Sequence, residues 1–160
     1  GQAQALCRLA NRRQAHEVSD ASIEKKSDSP YVWMVRGEIM VAGNQRTDEH
    51  CFESARRLSD DWLIPLETAT IYLFYQHATK ALKYARMAAS TAPDACFVWY
   101  LQGCCERECG FASHAKTSFQ RCLELSPKHE LATRALLEME HGPDRSMKWV
   151  VGLLKRFWAR

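Results

Sequence analysis

The sequence has no long apolar run and little glycine or proline. No stretch is long and apolar enough to cross a lipid bilayer as a helix. The N-terminus lacks the charged-then-apolar order of a secretory signal peptide, and its first residue, Gly1, indicates a piece cut from a longer protein. Only seven glycines and five prolines occur in 160 residues, so long irregular loops are not expected. We therefore expect one globular domain with a substantial core.

An excess of charge of one sign is also absent. The 22 lysines and arginines stand against 19 aspartates and glutamates, and the net charge of +3 is too small to favour nucleic acid as a partner. Glycine-rich phosphate loops, EF-hands and HExxH motifs do not occur. The six histidines are scattered over separate predicted helices, and His114 near Cys109 is the closest approach to a Cys/His pair. The sequence therefore predicts neither an enzyme nor a cofactor.

Seven cysteines are the one feature that suggests metal or redox chemistry. Cys105 and Cys109 share a face of one predicted helix, but the Cys-x-x-Cys pairs of structural zinc sites are missing. We interpret Cys122 and most of the others as small buried residues where helices pack, which predicts no metal site. Reduced cysteines fit a reducing compartment, and we expect a cytoplasmic protein. A thiol or metal enzyme is the less favoured alternative.

Residues 98–127 read as two amphipathic helices joined by a turn at Gly110 and ended by Pro127. Trp99 and Gly103 are four residues apart, so they share a face of the first helix, and the glycine allows a second helix to approach closely. The second helix carries one apolar stripe. Its members are Ala115, Phe119 and Cys122. A helix pair this short cannot bury its outer face alone, so a repeat is expected.

The pattern recurs upstream. A shift of 34 residues superposes small or apolar residues, namely Ala81 on Ala115, Ala85 on Phe119, Ala88 on Cys122, Pro93 on Pro127 and Ala69 on Gly103. Trp33 and Gly37 repeat the Trp/Gly pair 66 residues before it, two fewer than two full periods. The sequence resembles the tetratricopeptide repeat (TPR) family over residues 30–140 in its 34-residue period, its Trp/Gly pair, its small residues and its final proline. It departs from the family at Pro65, which stands where the second repeat would carry tryptophan.

The resemblance implies an all-α, right-handed solenoid of antiparallel helix pairs, with about three repeats and nine or ten helices in total. We expect a degenerate N-terminal helix pair at 1–29, the repeats at 30–140 and a basic amphipathic C-terminal helix at 141–160. Outside residues 98–127, apolar periodicity predicts helices at 31–42, 47–58, 62–75, 79–90 and 130–140. The starts of the first three are marked by Ser29 and Pro30, by Thr47 or Asp48, and by Asp60 and Asp61.

The same resemblance implies function, because the first helices of TPR repeats line a concave groove that binds peptides. In this chain the groove residues would be Tyr31, Met34, Glu38, Leu63, Leu66, Thr70, Phe74, Phe97, Tyr100, Cys104 and Arg107. Family members that bind acidic C-termini use a clamp of lysines and asparagines, whereas Met34, Glu38 and Leu66 stand here. An apolar, aromatic groove suits the apolar side of an amphipathic helix. The prediction is a non-catalytic scaffold for a protein or peptide partner, unless several of these residues pack within the superhelix and leave a narrower patch.

Residues 146–160 form an amphipathic pattern that matches no repeat position. The residues that we expect to dock are Lys148, Trp149, Leu154, Lys155, Arg156 and Trp158. Three partners could cover such a face. It could cap the open end of the stack, fill the groove of its own or a neighbouring copy in a homodimer, or bind a membrane surface as a peripheral adaptor.

Overall fold

The computed structural model describes residues 4, 12–26 and 28–140 of the chain. Within them lie eight α-helices and no strand. The helices are α1 Arg12–Lys25, α2 Pro30–Ala42, α3 Asp48–Leu58, α4 Leu63–Phe74, α5 Ala78–Thr91, α6 Cys96–Glu108, α7 Ala112–Leu125 and α8 Glu130–Glu140. None of these described helices is both long and apolar enough to span a bilayer. The all-α prediction is confirmed.

The helix bounds agree closely with the sequence prediction. α8 has the predicted bounds, and α2 to α5 begin and end within one residue of theirs. Of the predicted N-terminal helix pair, the second helix is present as α1, whereas most of the first lies outside the described residues. The predicted C-terminal helix lies entirely outside them.

The described part of the chain divides into two compact units, with the boundary between Thr68 and Ala69 inside α4. In the first unit α1 packs on α2 and α2 packs on α3. Ala15 of α1 and Ile39 of α2 are fully buried together. Gly37 lies so close to the Phe52 ring of α3 that a Cβ atom there would overlap it. This pair sets the close contact between α2 and α3.

In the second unit α6 packs on α5 and α7, and α7 packs on α8. A Cβ atom on Gly103 of α6 would lie 2.7 Å from Cε1 of Phe119 on α7, so this glycine again lets two helices approach. The aromatic neighbour of Gly103 is therefore Phe119. The Trp99 indole N–H instead donates a 2.7 Å hydrogen bond to the carbonyl of Pro93, which fixes the start of α6.

The turns after α2, α4 and α6 share one backbone conformation. Each has a single residue with positive φ, namely Asn44 (54°), Gln76 (65°) and Gly110 (80°). The N–H of the next residue donates to the carbonyl five residues earlier, as in Phe111 to Glu106 at 2.8 Å, and the N–H of the positive-φ residue donates to the carbonyl three residues earlier, as in Gly110 to Arg107 at 3.0 Å. These are the paired bonds of the Schellman motif. The three positions are 32 and 34 residues apart, which matches the period and the two-residue deficit in the sequence.

Only some of the residues that mark helix starts in the sequence make the expected capping hydrogen bond. Pro30 is the first residue of α2, where its missing N–H is not needed, but the Ser29 side chain before it makes no capping bond. Thr47 likewise precedes α3 without a side-chain capping bond. Asp61 does cap α4, because its Oδ1 accepts the Leu63 N–H at 3.0 Å.

Candidate functional site

The eleven predicted groove residues lie on α2, α4 and α6, and the structure buries six of them. The buried ones are Met34, Glu38, Leu66, Thr70, Tyr100 and Cys104. Leu63, Phe74, Phe97 and Arg107 are partly exposed. Tyr31 is the most exposed, at 52% of its surface. The surface accessible to a partner in this conformation is therefore narrower than the predicted groove.

In the first unit the buried groove residues make internal polar contacts. The Thr68 hydroxyl lies 3.4 Å from the Met34 sulfur and also donates to the Ile64 carbonyl at 2.8 Å. The Glu38 carboxylate, only 1% exposed, accepts a hydrogen bond from the Gln4 amide. These contacts hold α2 and the first half of α4 in the core of the unit, so they do not present Met34 or Glu38 to a partner.

In the second unit Tyr100 is the centre of an aromatic cluster. Its ring lies 5.9 Å from the ring of Phe119 on α7, 5.1 Å from that of His129 before α8 and 6.0 Å from that of Phe97. Tyr100 is 5% exposed, and burial raises the pKa of its phenol far above the ordinary value. Tyr100 thus joins three helices as a neutral core residue, and Phe97 is the member of the pair on α6 that reaches the surface.

Arg107, at the other end of the α6 face, has its charge satisfied within the chain. Its guanidinium lies 3.5 Å from Glu138 of α8 and 6.0 Å from the centre of the Phe119 ring. Arg134 reaches the same Glu138 carboxylate at 3.4 Å. An acidic partner would have to compete with Glu138, which argues against a carboxylate clamp here.

A buried carboxylate that the sequence interpretation did not single out lies on the opposite side of α6. Glu106 is 2% exposed, and its carboxylate accepts from the Ser118 hydroxyl at 2.7 Å and from the Gln102 amide at 3.0 Å. Arg86 of α5 lies 3.9 Å away. Since a buried charge is tolerated only with such partners, Glu106 ties α5, α6 and α7 together.

The cysteines agree largely with the packing interpretation. Cys51, Cys104, Cys105 and Cys122 are buried, while Cys96 and Cys109 are partly exposed. Burial raises the pKa of the Cys104 thiol to about 11 and that of Cys122 to about 12. Such thiols carry a proton at neutral pH and are poor nucleophiles. His114 is exposed, and its ring contacts that of Phe111.

The structure does bring together three residues that the sequence interpretation left apart. The sulfur atoms of Cys96 and Cys122 and a ring nitrogen of His129 all lie within 4.8 Å of one another. They are 26 and 7 residues apart along the chain and form no recognised motif, so only the packing of α6, α7 and α8 reveals them. The remaining predicted docking residues, at 146–160, lie outside the described residues.

Comparison with known proteins adds information about the fold alone. No protein-family model and no curated protein matches the sequence. Among solved structures, the MamA RS-1 ArsTM double mutant matches with a TM-score of 0.64 and 15% sequence identity. The match covers 98% of this chain and 92% of that one. MamA 41-end from Desulfovibrio magneticus RS-1 matches with a TM-score of 0.64 and 14% identity over 98% and 87%. MamA is a TPR-containing protein, so the TPR-like solenoid is confirmed as the fold class.

Proposed function

We propose that this chain is a non-catalytic protein-binding scaffold, and that its second unit holds the apolar side of an amphipathic helix against α6 with Phe97 as the anchor. The observation that carries the proposal is the aromatic pair on α6: Phe97 is partly exposed, while its neighbour Tyr100, at 6.0 Å between ring centres, is buried. The fold also supports the proposal. MamA, whose structures share it, is a TPR-containing protein, and the general role of TPR proteins is protein interaction.

The α6 face is held in place by packing within the second unit. Tyr100 packs against Phe119 and His129, and Gly103 brings α6 into direct contact with the Phe119 ring. A side chain on such a helix loses little freedom on binding, because its backbone is already ordered. Aromatic residues with apolar area and few rotatable bonds are the usual anchors of interfaces.

The chemistry of this face favours an apolar partner surface over an acidic one. Phe97 and Arg107 are ten residues apart on α6, which corresponds to about 15 Å, or roughly three turns of a docked helix. Arg107 is paired with Glu138, so the available contact is mainly apolar. The partly exposed Phe74 on the second half of α4 adds a further aromatic residue to this unit.

The free cysteines support the further proposal that the protein works in a reducing compartment such as the cytoplasm.

A selection experiment tests the proposal. A displayed library of amphipathic helical peptides is selected on the wild-type protein, and the enriched peptides are titrated against Phe97→Ala. Truncating an anchor commonly costs about 2 kcal/mol, so the affinity should fall roughly 30-fold.

Phe111→Ala is the matched control. Phe111 is in the same unit and is 47% exposed, but it precedes α7 rather than lying on α6. Its replacement should leave peptide affinity unchanged. Equal losses of peptide affinity in the two variants, or no loss in Phe97→Ala, would place the binding surface elsewhere. Circular dichroism of both variants verifies that each is folded.

A further inference from the structure

Three metal-ligating side chains converge in the second unit, from three consecutive helices. Cys96 is the first residue of α6, Cys122 lies in the last turn of α7, and His129 directly precedes α8. The two sulfur atoms and a ring nitrogen of His129 lie within 4.8 Å of one another. Thiolate and imidazole are the ligands that thiophilic ions such as Zn²⁺ prefer.

The separations are close to those of a metal site. Zinc–sulfur bonds of about 2.3 Å and zinc–nitrogen bonds of about 2.0–2.1 Å place tetrahedral ligands roughly 3.5–4 Å apart. Since no two of these atoms are more than 4.8 Å apart, binding an ion requires them to move together by about 1.3 Å at most. The sulfur atoms of Cys96 and Cys122 are already close to one another. Side-chain rotation at Cys96 and His129, which lie at helix ends, can supply the rest.

Packing alone explains one of the three residues but not the other two. Cys122 is 0% exposed and occupies the position that Ala88 takes in the preceding repeat, as expected for a small core residue. Cys96 and His129 are partly exposed. Their partial exposure places the cluster at the edge of the core, close to solvent that can supply an ion and a water ligand.

We propose that Cys96, Cys122 and His129 bind one thiophilic metal ion, with Zn²⁺ as the test ion and a water molecule as the fourth ligand. Both thiols release their protons to solvent when the ion binds, as metal-bound cysteines do. The ion would connect the start of α6, the end of α7 and the start of α8. Such a connection joins the three helices of the second unit that surround Tyr100.

Metal binding by His129 requires the loss of one hydrogen bond. Its Nδ1 accepts the Ala132 N–H at 3.2 Å, and a neutral imidazole has only one lone pair, so His129 cannot both accept this bond and bind the ion. The Ala132 N–H also donates to the backbone carbonyl of His129 at 3.1 Å. That N–H therefore keeps a partner when the ring turns to the metal.

Zinc titration of the reduced, chelator-stripped protein tests the proposal. Isothermal calorimetry should show one equivalent of Zn²⁺ bound, and Co²⁺ in its place should give the near-ultraviolet absorption of thiolate–cobalt bonds. Zn²⁺ should also raise the melting temperature, because it binds the folded state. Failure of the wild-type protein to bind Zn²⁺ or to give the thiolate–cobalt band would overturn the proposal.

Three variants and one control locate the site. Cys96→Ala, Cys122→Ala and His129→Asn should each weaken Zn²⁺ binding by at least about tenfold. Alanine already fits the equivalent core position at Ala88, and asparagine retains the ability to begin a helix, so these variants should fold. The control is Cys109→Ala, a partly exposed cysteine just after α6, which should bind like the wild type. Retained affinity in the three variants, or an equal loss in the control, would contradict the site.

Discussion

Gly103 lies against the ring of Phe119, and a Cβ atom at Gly103 would come within 2.7 Å of that ring. Gly37 has the same relationship to Phe52 in the first unit. In the intervening repeat, Ala69 and Ala85 occupy the corresponding sequence positions, and both are fully buried. In the first and third repeats, a glycine facing a large ring therefore lets two helices approach closely.

The first prediction concerns this glycine. In an exposed helix, glycine to alanine stabilises by up to about 1 kcal/mol. Gly103→Ala should instead destabilise the protein by about 1–3 kcal/mol in denaturant unfolding, because the new methyl group overlaps the Phe119 ring. Combining it with Phe119→Leu should recover roughly 1 kcal/mol relative to the sum of the single changes. A more stable Gly103→Ala variant would show that the two helices are further apart.

The second prediction exchanges residues between two equivalent turns. Gln76 and Gly110 both have positive φ, which costs a residue with a side chain about 1–2 kcal/mol. Gln76→Gly should therefore stabilise the protein by about 0.5–1 kcal/mol, and Gly110→Gln should destabilise it by about 1–2 kcal/mol. Chemical denaturation measures both. Changes of the same sign in the two variants would mean that the turns differ in conformation.

The third prediction is a dependence of stability on pH. Burial, together with the charges of Asp61 and Glu38, raises the pKa of the Glu67 carboxyl. The folded state therefore holds this proton more tightly than the unfolded state, and the ionised carboxylate destabilises the fold above its folded pKa. Glu67→Gln should unfold at higher denaturant concentration near neutral pH. The difference should vanish below the ordinary pKa of glutamate, where Glu67 is neutral in both states.

The control for that change is Glu24→Gln, an exposed glutamate on α1. Its replacement should alter stability little at any pH. If Glu67→Gln were no more stable than wild type near neutral pH, the carboxylate would have to be better solvated than its burial indicates.

The fourth prediction concerns the amphipathic segment at 146–160, which only the sequence describes. Deleting residues 144–160 should lower the melting temperature if the segment caps the repeats, which is the outcome we expect. Stronger peptide binding or loss of a dimer at unchanged stability would instead indicate groove occupancy. If the melting temperature, peptide affinity and oligomeric state are all unchanged, loss of co-sedimentation with anionic liposomes at low salt would identify a membrane role.

The sequence predicts the helices well because their signals are local. α8 follows from its apolar periodicity, and Pro30 and Asp61 mark helix starts through their immediate neighbours. The Trp99/Gly103 pair correctly indicates a close helix contact, but the ring on the other side belongs to Phe119. Identifying that partner requires knowing how two helices face each other.

The candidate site is predicted less well, since burial depends on contacts between residues distant in sequence. Tyr100 and Phe97 look equivalent on a helical face, yet packing against Phe119 and His129 buries the first and leaves the second partly exposed. Cys96, Cys122 and His129 have no common spacing that a motif could express. Only the fold places their ligand atoms together.

Photo-crosslinking tests the central claim, binding at the α6 surface, most directly. A photoreactive phenylalanine analogue, benzoylphenylalanine, replaces Phe97 in one preparation and Phe111 in another, and each is irradiated with a peptide selected on the wild-type protein. We predict covalent peptide adducts at position 97 and almost none at 111. Adducts only at 111, or equal adducts at both positions, would contradict binding on α6.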